Sequence, residues 1–170
     1  MLDFLDSSPD KPISHFEEHL CYWLQFVACH ANACLGDELA QRGMTVNDWL
    51  VLRTLLDNPG VGHHVVARVL GLSRAAAWKT VARLRAEGHV CGAMAPGAAR
   101  AQALSLTPDG EALVPQLAAL AEDNEFRLFL HLPPGVHAAL VGALQAIAIR
   151  HDFGFRHLPR RLKNQPVNRL

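Results

Sequence analysis

The chain has 170 residues, half of them hydrophobic and 6% aromatic, and its Lys and Arg balance its Asp and Glu at sixteen each. That length fits one domain, or one domain with a dimerisation extension, and the abundance of Ala and Leu favours helices. No uncharged apolar run reaches the roughly 18 residues of a membrane span, and MLDFLDSSPDKP lacks the basic-then-apolar order of a signal peptide, so a cytoplasmic protein without a membrane segment is expected.

The zero net charge is unevenly spread. Residues 1–57 carry a balance of −6, residues 68–107 carry +5, residues 108–149 carry −4, and the tail from Arg150 carries +5. Two basic zones in a neutral chain point to a localised anionic partner.

In chain order, residues 1–13 show no periodicity and read as a flexible arm. A long helix is expected from His15 to about Arg42, closed by Gly43, with Leu20, Leu24, Val27, Ala31, Leu35 and Leu39 as its buried stripe. Thr45 is placed to cap a helix over Val46–Asp57, which Asn58-Pro59-Gly60 ends. A short helix over about Val61–Leu70 comes next, then the turn Gly71-Leu72-Ser73. Ser73 is placed to cap a helix over Arg74–Glu87, which Gly88 ends. Residues 89–94 and 101–106 alternate weakly around APGAAR and read as a hairpin. Thr107-Pro108 opens a helix to about Leu130, His131-Leu132-Pro133-Pro134 stops it, and a last helix covers about Gly135 to Arg150.

Helix, glycine turn, helix and hairpin in that order make a winged helix-turn-helix. An α-helix fits the major groove of duplex DNA; cations on it meet phosphates, and short side chains near its start reach base edges. The segments VARVLGLSRAAAWKTVARLRAEGHV at 66–90 and LTPDGEAL at 106–113 carry a resemblance to the multiple-antibiotic-resistance regulator (MarR) family, running over about residues 15–150. The expected fold is mainly α: a winged helix-turn-helix lobe (45–107) between an N-terminal dimerisation helix (14–44) and C-terminal dimerisation helices (108–150), followed by a basic tail (151–170). The resemblance implies a homodimer on a pseudo-palindromic double-stranded DNA operator, with recognition helices about 34 Å apart. It implies a repressor released by a small molecule or by thiol oxidation, with no enzymatic activity and no cofactor.

By that resemblance Ser73, Arg74 and Ala75 meet DNA at the start of the recognition helix, and Lys79 and Arg83 meet phosphates. Ser73 is also a helix cap, and the alternative for the two cations is a solvated helix face. Trp78 stands where the family usually has Thr or Ser; it either touches a thymine methyl or sugar edge, or folds back onto its own domain. In the wing, Arg100 matches a family arginine and is expected to reach DNA, but Ala98 and Ala99 replace a usual Asp and a frequent second Arg. Fewer phosphate contacts mean a shallower salt dependence, for which Arg156, Arg160, Arg161 and Lys163 of the tail could compensate.

HLCYWLQFVACHANACL aligns with the first helix of the organic-hydroperoxide-sensing branch, placing Cys21 at its reactive cysteine. Leu35 and Val46 occupy the positions of the two tyrosines that support the thiolate there, which leaves Cys21 a redox candidate without its donors. His15 with His19, and His30 with Cys34, have metal-compatible spacing but no further ligand nearby in sequence, so no metal site is assigned. Trp23, Phe26 and His30, with Trp49 and Arg53 of the next helix, could line an effector pocket suited to an aromatic carboxylate, or could be ordinary packing. Two alternatives to the main reading stand: a thiol- or metal-responsive regulator of the same fold, and a DNA-binding-impaired homologue acting through protein partners.

Overall fold

Capping residues lay out the chain. In the computed structural model, which describes residues 14–94 and 102–151, six α-helices surround a two-stranded hairpin. They are α1 (Leu20–Ala40), α2 (Val46–Asp57), α3 (His63–Val69), α4 (Arg74–Ala86), α5 (Pro108–Phe129) and α6 (Pro134–Arg150), with β1 (Val90–Met94) and β2 (Gln102–Leu106) between α4 and α5. The winged-helix class expected from the sequence is the one observed. The arm at 1–13, the hairpin tip at 95–101 with Arg100, and the tail beyond His151 lie outside the described residues.

Three local expectations are corrected. The first helix does not begin at His15: Phe16–Glu18 form a single 3₁₀ turn, His19 is extended, and α1 starts at Leu20. The Trp23 indole N–H donates to the Glu17 carbonyl at 2.8 Å and holds that turn back against the helix. Val61 is not helical. It pairs with Leu104 as a β-bridge, with the Leu104 amide donating to the Val61 carbonyl at 2.9 Å and the Gly60 amide to the Leu104 carbonyl at 2.7 Å. The expected stripe on α1 is buried only at Leu35 and Leu39, whereas Leu20, Leu24 and Val27 are exposed because α5 and α2 cover only the C-terminal part of the helix.

α2 has the bounds its capping signal gives. Thr45 Oγ1 accepts from the Asp48 amide at 3.2 Å, and Asp48 Oδ2 accepts from the Thr45 amide at 2.7 Å, a reciprocal capping box. Its inner face (Val51, Leu52, Leu55) packs with Leu39 of α1, Val66 of α3, Ala77, Val81 and Leu84 of α4, Leu104 of β2 and Leu117 of α5. Each fully buried aliphatic side chain here is worth about 1.5–3 kcal/mol. α1 and α5 are further tied by the buried Asn124, whose Nδ2 donates to the Ala31 carbonyl at 3.2 Å, and by an Arg127–Glu38 ion pair.

The hairpin is antiparallel, with Val90 opposite Leu106 and Met94 opposite Gln102. Thr107 joins it to α5. Its hydroxyl donates to the Gly88 carbonyl at 2.6 Å and accepts from the Gly110 amide at 3.1 Å, while its own amide donates to the His89 carbonyl at 3.1 Å. Gly110 is required by this junction: a Cβ there would lie 2.1 Å from the His89 carbonyl oxygen. The LTPDG segment is thus the hinge pin between wing and α5.

Candidate nucleic-acid interface

α3 and α4 meet through Gly71, whose φ of +64° suits glycine, and the Leu72 amide closes the turn onto the Ala67 carbonyl at 2.9 Å. Ser73 caps α4, its Oγ accepting from the Ala76 amide at 3.1 Å, and stays exposed. The helix has 3.6 residues per turn, so burying Ala77, Val81 and Leu84 completely turns the opposite side to solvent. That outward side carries Arg74, Ala75, Trp78, Lys79 and Ala82, all exposed. Five of the seven residues expected from the sequence to meet DNA (Ser73, Arg74, Ala75, Trp78 and Lys79) therefore share one accessible end of one helix. Arg100, on the hairpin tip, is not described.

Arg83 is placed differently. Its guanidinium forms an ion pair with the buried Asp48 carboxylate, a second with Glu87 at 2.9 Å, and donates to the Gly43 carbonyl at 3.2 Å. It braces α4 against the corner between α1 and α2. Arg83 and Asp48 are 35 residues apart, so no helical periodicity reveals the pairing; the Thr45-x-x-Asp48 box gives the carboxylate's position but not its partner.

Trp78 folds back in part onto its own domain and in part faces solvent. The indole is 58% exposed, yet it stacks on the His63 ring at the start of α3, with centroids 4.5 Å apart and planes 28° from parallel. Partial burial holds His63 below the ordinary imidazole pKa, and the positive charge of Arg85, then His64, pushes in the same direction. Both effects favour the neutral ring. Nothing in the sequence signals the stack, since the two rings come from different helices joined by a turn.

On α1 a second feature is an open groove of about 590 Å³. Phe26 and His30 line it with Phe16, His19, Tyr22 and Cys21. Phe26 and His30 rings lie 4.3 Å apart, and His30 Nδ1 is 2.8 Å from the Phe26 carbonyl. Of the other expected pocket residues, Trp23 touches Phe26 edge-on at 6.0 Å but does not line the groove. Trp49 is half-buried against the core, and Arg53 pairs with Asp57 at 2.7 Å. Periodicity puts His19, Trp23, Phe26 and His30 on one face; Phe16 joins them only because the 3₁₀ turn folds back. Cys21 is exposed, as are Cys29, Cys34 and Cys91, and all four are free thiols. Among the described residues no three His, Cys, Asp or Glu side chains come together as a metal site, and no single helix is long and apolar enough to cross a membrane.

Residues 44–90, from the α1–α2 corner to the start of β1, match a family model described as winged helix-turn-helix DNA-binding. No curated protein matches the chain. Among solved structures, a MarR-family transcriptional regulator from Rhodococcus sp. RHA1 is 23% identical, with a TM-score of 0.74 over 80% of this chain and 96% of that one. BpsR of Bordetella bronchiseptica, described with regulation of its DNA binding by 6-hydroxynicotinic acid, is 24% identical, with a TM-score of 0.73 over 81% and 98%. CouR of Rhodococcus jostii RHA1, bound to p-coumaroyl-CoA, is 23% identical, with a TM-score of 0.71 over 80% and 96%. The chain therefore carries a winged helix-turn-helix DNA-binding segment set within the fold of the MarR-family transcription regulators.

Proposed function

We propose that the protein is a cytoplasmic, homodimeric, sequence-specific DNA-binding transcription regulator, a repressor that an aromatic acid releases from its operator. The observation that carries this is the exposed start of α4, where Ser73, Arg74, Ala75, Trp78 and Lys79 share one surface while the opposite face of the helix anchors the core. Short side chains there allow close approach to base edges, and Arg74 and Lys79 suit phosphates. A gel-retardation assay against the DNA upstream of the chain's own gene tests it. Retention that survives excess random duplex is expected; retention abolished equally by random duplex overturns sequence specificity.

Dimerisation is supported by apolar surface. α6 has no buried residue, and Leu140, Val141, Leu144 and Ile147 are exposed on it, as Leu20 and Leu24 are on α1. A single chain rarely leaves a whole helix face of large apolar side chains exposed without a partner. The double substitution Leu140→Glu with Leu144→Glu is expected to shift the sedimenting species from two chains to one and to abolish operator retention. A variant that still sediments as a pair places the interface elsewhere.

The aromatic groove on α1 supports the effector. A flat acid would stack on Phe26 and His30, with His19 beside it to meet the carboxylate. Two of the similar structures are described with 6-hydroxynicotinic acid and p-coumaroyl-CoA, both ring-bearing acids or their derivatives. Micromolar to millimolar aromatic acid is expected to release the retained DNA from the native chain, and Phe26→Ala to blunt that release without weakening retention.

A further inference from the structure

Trp78 is a large apolar group held at the solvent-facing start of a helix whose outward side also carries Arg74 and Lys79. Ala75 and Ala82 lie one turn to either side of it, so no bulky side chain hides it on those two flanks. A free tryptophan on an exposed helix face samples several rotamers, and a mobile side chain discriminates poorly between bases because binding must first order it. Here the ring is not free. His63 covers one face of it at a centroid distance of 4.5 Å, while more than half of the residue remains accessible. His63 is itself fixed as the first residue of α3, on a helix whose Val66 and Ala67 are buried. The two helices are locked by the Gly71 turn, so the stack is set by the backbone. The stack covers a ring face and leaves the rest of the indole accessible.

We propose that His63 is a positioning residue for DNA specificity: by stacking on Trp78 it fixes the indole so that its exposed edge selects an apolar base feature, the thymine methyl, at one position in each half-site. This rests on the reading of α4 as the DNA-contacting helix. The contact is major-groove and apolar, since the methyl is the only such group that base pairs present there. His63 acts through Trp78 and does not itself need to touch a base.

The test is selection of binding sites from a randomised duplex library by the full chain and by His63→Ala, His63→Phe and Trp78→Ala variants, each with its melting temperature recorded. The native chain is expected to prefer thymine at one position per half-site, and replacing that thymine by uracil, which lacks only the methyl, is expected to weaken binding by several-fold. Trp78→Ala is expected to lose about tenfold of that preference. His63→Ala is expected to lose part of it at the same position, with the rest of the selected sequence unchanged, and His63→Phe to restore it. A merely structural role for His63 would lower binding to all sequences alike and would leave the base preference in place; that outcome overturns the proposal. So does a native preference indifferent to uracil. Failure of the native chain to select any sequence overturns the DNA-regulator reading together with it, whereas normal selection that His63→Ala and Trp78→Ala leave intact overturns the positioning role alone.

Discussion

Gly110→Ala is expected to lower the melting temperature by roughly 6–12 °C. The added Cβ would meet a backbone carbonyl, that of His89, at 2.1 Å, and neither side can retreat cheaply. The His89 carbonyl accepts from the Thr107 amide, and the Thr107 hydroxyl bridges Gly88 and Gly110, so moving one strand of the junction breaks bonds that fix the other. Overpacking of this kind costs about 3 kcal/mol, and a chain of this size loses about 2–4 °C per kcal/mol. Gly135→Ala is the control. It lies in the first turn of α6 with nothing within 4 Å of an added Cβ, and should leave the melting temperature unchanged or raise it slightly. Thermal unfolding followed by circular dichroism separates the two; equal effects would mean that the junction yields and the glycine serves some other purpose.

Arg83→Ala and Lys79→Ala are expected to fail in opposite ways. Removing Arg83 leaves the Asp48 carboxylate, 1% exposed, without its counter-ion. Losing one partner of a fully buried pair costs about 3–5 kcal/mol; the Arg83 side chain is about one-third exposed and the loss should be nearer 2–3 kcal/mol, or roughly 4–12 °C. Its DNA affinity should keep the native salt dependence. Lys79 is exposed, and its removal should change stability by less than about 0.5 kcal/mol. The same removal should flatten the plot of log affinity against log salt by about one unit for each phosphate left without its cation. Titrations at several salt concentrations, beside thermal melts of the same preparations, read both. A flattened slope for Arg83→Ala with an unchanged melting temperature would make that arginine a phosphate ligand and not a brace.

The distribution of what was legible follows from range of interaction. The bounds of α2 come directly from Thr45, Asp48 and Asn58-Pro59-Gly60, because caps and breakers act within a turn. The outward placement of Trp78 follows from period alone, since Ala77, Val81 and Leu84 had to share the inner face. What period cannot supply is the identity of a partner distant in sequence. Val61 looks like the first residue of a helix until Leu104 offers it a strand to pair with. Arg83 reads as a phosphate contact, or else as a solvated cation, until Asp48 comes beneath it, and His63 gives no hint that Trp78 will lie on it. The α1 stripe is apolar along its length, but apolarity does not say which protein surface will cover it.

The single bridge between Val61 and Leu104 fastens the entry to α3 onto β2. The base of the hairpin and the helix pair α3–α4 are thereby tied together like a ruler with fixed graduations. A half-site that differs in the distance between its groove contacts cannot be met by stretching within the lobe. If the chain binds DNA as the proposed dimer, tolerance for altered operator spacing would reside between its two copies.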